Sequence, residues 1–292
     1  MGKHKQEKLN WLQHHLPEGL VVDAAWLERH GYSSALRSKY LAHGWIDPVA
    51  RGVYRRPTAQ LAAPPADRES LRWQHVVISL QTLLSCAVHV GGRTALELEG
   101  FAHYLPPAGP REIHLYGAKA FPNWLTRLKL DTSFVFHNAG KLFEAEADRA
   151  SAPQERTDRA NTEADTEVAR SSLKTQSWGQ WEWPLIISSP ERAVLELMDE
   201  LPQRETFHQA DVLMEGLSNL SPRRLHTLLV ACRNVKVKRL FLWFAERHNH
   251  AWVTALDRKD IDLGHGKRML VRGGKLDARF NITVPERLDA NL

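Results

Sequence analysis

The sequence predicts an α+β protein. A winged helix–turn–helix over residues 1–58 precedes a larger mixed α/β domain over residues 68–292. Three observations carry this expectation. Helical spacing of apolar residues recurs three times in the first 44 residues, and an alternating stretch around a Pro/Gly turn follows it. The stretch PTAQLAAPPAD at 57–67 has three prolines and no helical spacing, which marks a boundary. Beyond it, helix-like and strand-like segments mix without a regular βα alternation.

The elements follow in order. Residues 4–16 place Leu9, Leu12 and Leu16 on one helical face, and Pro17-Glu18-Gly19 ends that helix. Asp23 caps a second helix with Ala24 and Leu27 on one face, stopped by Gly31. Ser33 or Ser34 caps a third, with Leu36, Tyr40 and Leu41 inward and Gly44 at its end. WIDPVARGVYRR at 45–56 reads as a hairpin. Further on, helical periodicity appears near 69–84, 94–100, 191–200, 209–216, 222–233 and 236–248. Strand-like runs lie at 112–116, 133–137, 184–187, 268–272 and 280–284. Ser189 and Pro190 suit a helix start, Glu191 suits its positive end, and Arg192 is expected to pair with a carboxylate in the core. Residues 144–172 hold four bases, eight acids and a single large aliphatic residue, Val168, which predicts a polar, mobile insertion.

Composition narrows the function classes. The 292 residues are 43% hydrophobic and 25% charged, the balance of a globular chain. Cys86 and Cys232 are the only cysteines, too few for a disulfide framework or a cysteine-rich zinc module, and they fit a reducing cytoplasm. The longest apolar run, Val76–Val90, is broken by Ser79, Gln81, Thr82, Ser85 and His89, so no membrane partner is expected. The net charge of +5 allows contact with phosphate.

The sharpest chemistry lies in VVDAAWLERHGYSSALRSKYLAHG, where a turn residue tolerant of positive φ, Gly31, separates two short helices. In that arrangement the third helix enters the major groove by its N-terminal end. Ser33, Ser34, Arg37 and Ser38 would project there, with Lys39 further round. Short hydroxyls let the helix approach base edges while a guanidinium reaches guanine or phosphate. The hairpin adds Arg51, Tyr54, Arg55 and Arg56 as a wing, so the expected partner is double-stranded operator DNA. A second basic set, Arg223, Arg224, Lys236, Lys238, Arg239, Lys267 and Arg268, lies in two acid-free stretches at 216–245 and 264–276. It reads either as one patch for DNA or an acidic partner, or as ordinary solvated charge.

Other chemistries find little support. GHGKR at 264–268 lacks the spacing of a phosphate loop, and Arg268 stands where such a loop needs a hydroxyl. The 15 histidines show no metal-ligand spacing, and no G-x-S-x-G elbow exists, so no metal, cofactor or catalytic residue is expected. Trp178, Trp181 and Trp183 read as core or as a docking surface. Two alternatives stay open. One is a nuclease using Asp257, Asp260 and Asp262 and targeted by the winged helix; the other is a regulator sensing a small ligand in its second domain.

The segment GYSSALRSKYLAHGWIDPVARGVYRRP resembles the N-terminal domain of AbiEi-type antitoxins from type IV toxin–antitoxin systems. The resemblance continues in HVGGRTALELEGFAHYLP, SSPERAVLELMDELP, VKVKRLFLWFAERHNHAWV and LGHGKRMLVRGGKLDARFNITVPE, in the family's order. It implies a non-enzymatic autorepressor. Its second, antitoxin domain would counteract a nucleotidyltransferase toxin encoded beside it, directly or indirectly.

Overall fold

The structure is a computed structural model and describes residues 3–58, 70–101, 111–117, 121–143 and 172–288. The chain divides into two compact units: residues 1–88, 120–134 and 176–186 form one, and residues 89–119, 135–175 and 187–292 the other. The polar insertion expected at 144–172 lies, except for Ser172, outside the described residues, as does residue 59 onward of the proline-rich stretch.

In the first unit, α1 (Lys3–His15) is followed by β1 (Val21–Asp23), α2 (Ala24–Arg29), α3 (Ser34–Ala42), β2 (Asp47–Ala50) and β3 (Val53–Arg55). The strands pair antiparallel in the order β1-β3-β2, which is the layout of a winged helix. The expected caps are in place. Asp23 accepts the Trp26 N–H at 2.7 Å and Ser33 accepts the Leu36 N–H at 3.4 Å. Gly31, between α2 and α3, has φ +81°. Leu9, Leu12, Leu16, Trp26, Leu27, Tyr32 and Tyr40 are buried.

This unit does not stop at the prolines but runs on through α4 (Trp73–Thr82) to residue 88. The reason is a buried polar tie: the Ser79 hydroxyl accepts the Val21 N–H at 2.8 Å, which saturates the edge of β1. The rings of Trp178 and Trp183 pack edge-on against His75, while Trp181 at the hairpin tip is 60% exposed.

The remaining strands are β4 (Val88–Val90), β5 (Glu112–Gly117), β6 (Ser133–Asn138), β7 (Leu173–Trp178) and β8 (Trp183–Ser188), ordered β6-β5-β4-β8-β7. β4 and β8 run parallel at Val90 and Ile187. In the second unit α5 (Gly92–Leu98) and α6 (Pro190–Glu200) pack together. α7 (Phe207–Gly216), α8 (Pro222–Ala231), α9 (Val235–His248) and α10 (Ala251–Ala255) follow, then a small sheet of β9 (Arg268–Met269), β10 (Lys275–Asp277) and β11 (Ile282–Val284). Its apolar core runs from Ala95 and Leu96 through Val194, Leu197, Leu213, Leu228, Phe241 and Phe244 to Ile282. Among the described residues no helix is long and apolar enough to cross a membrane.

Charge occupies the middle of this core. Arg192 Nε donates to Glu196 Oε1 at 2.7 Å, and Arg192 Nη1 donates to the Ser172 hydroxyl at 3.2 Å. Glu196 Oε2 accepts from the Gly92 N–H at 2.9 Å and from the Ser188 hydroxyl at 2.8 Å, while His89 Nε2 lies 3.0 Å from Oε1. Burial works to raise the Glu196 carboxyl, but Arg192 and His89 outweigh it and hold the group down to about 2. The expectation for Arg192 is met. The Gly91-Gly92 pair finds its reason here too: a methyl group at Gly91 would run into the Glu196 carboxylate.

Candidate nucleic-acid interface

The helix–turn–helix is locked from three sides. The Tyr32 hydroxyl donates to the Lys8 carbonyl of α1 at 2.8 Å, and Lys8 Nζ donates to the Gly31 carbonyl at 2.6 Å. The third lock is Arg37. Its Nη1 donates to the Tyr32 carbonyl at 2.9 Å and its Nη2 meets Glu28 at 2.9 Å, leaving the residue only 9% exposed. The expectation that Arg37 projects from the reading helix is therefore corrected. Its position on α3 faces the turn, and the Tyr32 carbonyl and the Glu28 carboxylate offer better geometry than open water.

What α3 presents at its N-terminal end is small. Ser33, Ser34, Ala35 and Ser38 are exposed, with Lys39 half-exposed beside them. Ser38 donates back to the Ser34 carbonyl at 3.1 Å, so its oxygen still has lone pairs to offer outward. In the wing, Arg51 is exposed at the turn next to Gly52 at φ +76°, and Tyr54 is half-buried. Arg55 lies 3.8 Å from Asp47 across the hairpin. Arg56 is spent on structure: it donates to the Gln13 and Leu16 carbonyls and pairs with Glu18 at 3.1 Å, fastening the wing to the end of α1. Of the residues expected to contact DNA, Ser33, Ser34, Ser38 and Arg51 are thus exposed and Lys39 is half-exposed. Sequence reading missed Glu28, whose acid six residues before Ser34 was the available sign that Arg37 would be claimed locally.

The second basic set does not gather into one surface. Lys238 and Arg239 are 4% and 2% exposed, inside the core. Arg239 donates to the carbonyls of Leu263, Gly264, Gly266 and Asn281, holding the GHGKR loop in place. Lys236 donates to the Asp199 and Leu201 carbonyls at 2.6 and 2.8 Å. Arg224 pairs with Glu191 at 2.9 Å, and Arg224 with the Ser221 N–H lowers that carboxyl against the effect of its burial. Arg223, Lys267 and Arg268 are exposed. The physical reason is that eight residues of α9, Val237–Leu242 with Phe244 and Ala245, are buried, so Arg239 has loop carbonyls and not water around it.

Two of the three aspartates of the nuclease alternative accept a backbone N–H within their own turns. Asp257 accepts the Lys259 N–H at 2.9 Å, Asp262 accepts the Gly264 N–H at 2.7 Å, and Asp260 sits exposed at φ +64°. Among the described residues, no three His, Cys, Asp or Glu side chains converge as a metal site.

Two family models cover the chain. The one described as transcriptional regulator, AbiEi antitoxin N-terminal domain, matches residues 5–106. The one described as transcriptional regulator, AbiEi antitoxin, type IV TA system, matches residues 111–285. No curated protein matches the chain. In fold it is similar to the RV2827C protein from Mycobacterium tuberculosis, a crystal structure with a TM-score of 0.53 at 13% identity over 99% of this chain and 93% of that one. The winged-helix layout and the two matches together place the chain in the AbiEi family of transcriptional regulators, the antitoxins of type IV toxin–antitoxin systems.

Proposed function

We propose that this antitoxin represses its own operon by laying the N-terminal end of α3 in the major groove of operator DNA, with the wing along the backbone. The larger domain then counteracts a nucleotidyltransferase toxin encoded beside it, without catalysis of its own. Its place of action is the cytoplasm, where the operator lies. One observation carries the reading. α3 keeps its one long guanidinium turned inward on Glu28 and the Tyr32 carbonyl, and exposes Ser33, Ser34, Ala35 and Ser38 with Lys39 half-exposed. A face of short hydroxyls permits close approach to base edges, and exposed Arg51 at the wing tip supplies a phosphate contact.

The test is a gel-shift titration on a duplex carrying the protein's own promoter. Ser38→Glu puts a carboxylate into the groove and should abolish the specific complex. Arg51→Ala should weaken binding on any duplex and flatten the dependence of log affinity on log salt by about 0.9. A folded Ser38→Glu variant that binds as tightly as the wild type overturns the assignment of α3. The toxin half is read separately, as growth rescue when each variant is co-expressed with the neighbouring nucleotidyltransferase.

A further inference from the structure

A cleft of about 720 Å³ in the second unit has apolar walls made by Pro202, Phe207, Val271, Pro285 and Leu288. Its volume falls in the range of small-molecule sites, roughly 300–1,000 Å³. Glu205 borders it, with a side chain 4% exposed. Among the described residues no hydrogen bond reaches its carboxyl: the nearest nitrogens are Arg93 Nη1, an ion-pair contact at 3.8 Å, and His114 Nε2 at 3.9 Å. Arg93 is already engaged, its Nε donating to Glu97 at 2.7 Å.

His114 cannot fill the gap, and the reason is directional. Glu200 Oε1 sits 2.8 Å from His137 Nδ1 and therefore accepts the proton there. In a neutral His137 ring Nε2 is then the acceptor, and the 3.0 Å contact with His114 Nδ1 is donated by His114. His114 Nε2 is then a bare lone pair facing Glu205. Burial, with His137 beside it, holds His114 down to about 4, so its ring is neutral at neutral pH. Burial likewise pushes Glu205 up to about 7. The protonated carboxyl thus faces an acceptor that stands 3.9 Å away, beyond hydrogen-bond distance. The cleft is the open side from which a donor can come.

We propose that this cleft binds a small organic amine, its ammonium group hydrogen-bonded to Glu205 and its apolar body laid against Phe207, Val271 and Leu288. Binding displaces the carboxyl proton: the protonated acid and the ammonium become a carboxylate–ammonium pair, and one proton leaves to solvent. Arg272 and Arg287 stand exposed at the lip, where an anion would bind without using Glu205 at all.

The test uses the full chain and benzylamine, with benzyl alcohol as its neutral counterpart of the same shape. Isothermal titration at pH 6.5 in two buffers of different ionisation enthalpy should show benzylamine binding with proton release, at least tenfold tighter than benzyl alcohol. Glu205→Gln, checked for folding by circular dichroism, should lose that preference. Val271→Trp fills the cleft and leaves Glu205 in place, so it should abolish binding and decides the matter if Glu205→Gln does not fold. Equal binding of the two probes overturns the proposal, as does undiminished benzylamine binding in either folded variant. Stabilisation by inorganic phosphate and not by benzylamine makes the cleft an anion site, and the proposal then falls too.

Discussion

In the winged-helix unit, Arg37 meets Glu28 at 2.9 Å with the acid 59% exposed; in the second unit, Arg192 meets Glu196 at 2.7 Å with both side chains sealed from water. The first pair fastens a surface turn and leaves the neighbouring helix face bare. The second is the fixed point around which β4, α5, β8 and α6 are assembled, since Glu196 also takes the Gly92 N–H, the Ser188 hydroxyl and His89. An exposed acid loses little when its partner goes, because water replaces the guanidinium. A sealed acid has no such substitute. Similar pairs therefore do opposite work: one leaves a helix face bare, and the other dictates a core.

The contrast breaks most directly at Arg192. Arg192→Met strands the Glu196 carboxylate in the core and should cost about 3–5 kcal/mol in urea denaturation. The pair Arg192→Met with Glu196→Leu should recover much of that loss, because neither charge is then buried. A single-variant cost below about 1 kcal/mol would remove the distinction between the two units.

The next effect is a pH dependence confined to the second unit. Glu205 stands at about 7 in the fold against 4.5 ordinarily, so its contribution is full below about 4.5 and is lost as pH rises through 7. His114, at about 4 against 6.5, contributes fully above 6.5 and loses that as pH falls through 4. Glu205→Gln removes the first effect and keeps the second. Relative to the wild type, the variant should gain on the order of 3 kcal/mol between pH 4.5 and 7.5 in urea denaturation. Parallel curves for the two proteins would show that Glu205 is no buried acid.

Arg37→Ala removes the lock of the turn and should lower stability by about 1–3 kcal/mol, seen as a lower thermal midpoint. Arg51→Ala, at the exposed wing tip, should leave the midpoint alone and change only DNA affinity. Smallest of all, Lys267→Ala and Arg268→Ala should each stay within about 0.5 kcal/mol of the wild type, because both side chains are exposed.

The local signals of the fold were legible. Asp23, Ser33, Ser189 and Pro190 announce helix starts that the structure keeps, because a cap needs only its own next three residues. Strands β1, β4, β7 and β10 left no trace, since none of them alternates buried with more exposed residues as β11 does. The site was half legible. The hydroxyls of α3 follow from helical spacing, whereas the fates of Arg37 and Arg56 depend on Glu28, Gln13, Leu16 and Glu18 in other elements. Counting cations misled in α9, where Lys238 and Arg239 count as basic yet lie among Val237, Leu240 and Phe241. The four-residue spacing of Arg192, Glu196 and Glu200 was on view, but their partners at 89, 92 and 137 come from distant segments.

The tie between Glu196 and His89 spans 107 positions, and that with Gly92 spans 104. The tie closing the helix–turn–helix onto α1, Tyr32 to Lys8, spans 24, and that from Val21 to Ser79 spans 58. The ties that close the helix–turn–helix itself therefore lie within the first 79 residues, although the rest of its unit, residues 120–134 and 176–186, is made only shortly before residue 196. Short-range closure is fast, and contacts this distant wait on synthesis and on the entropy of a long loop. A half-made chain can already close its helix–turn–helix while the core around Glu196 is still being translated.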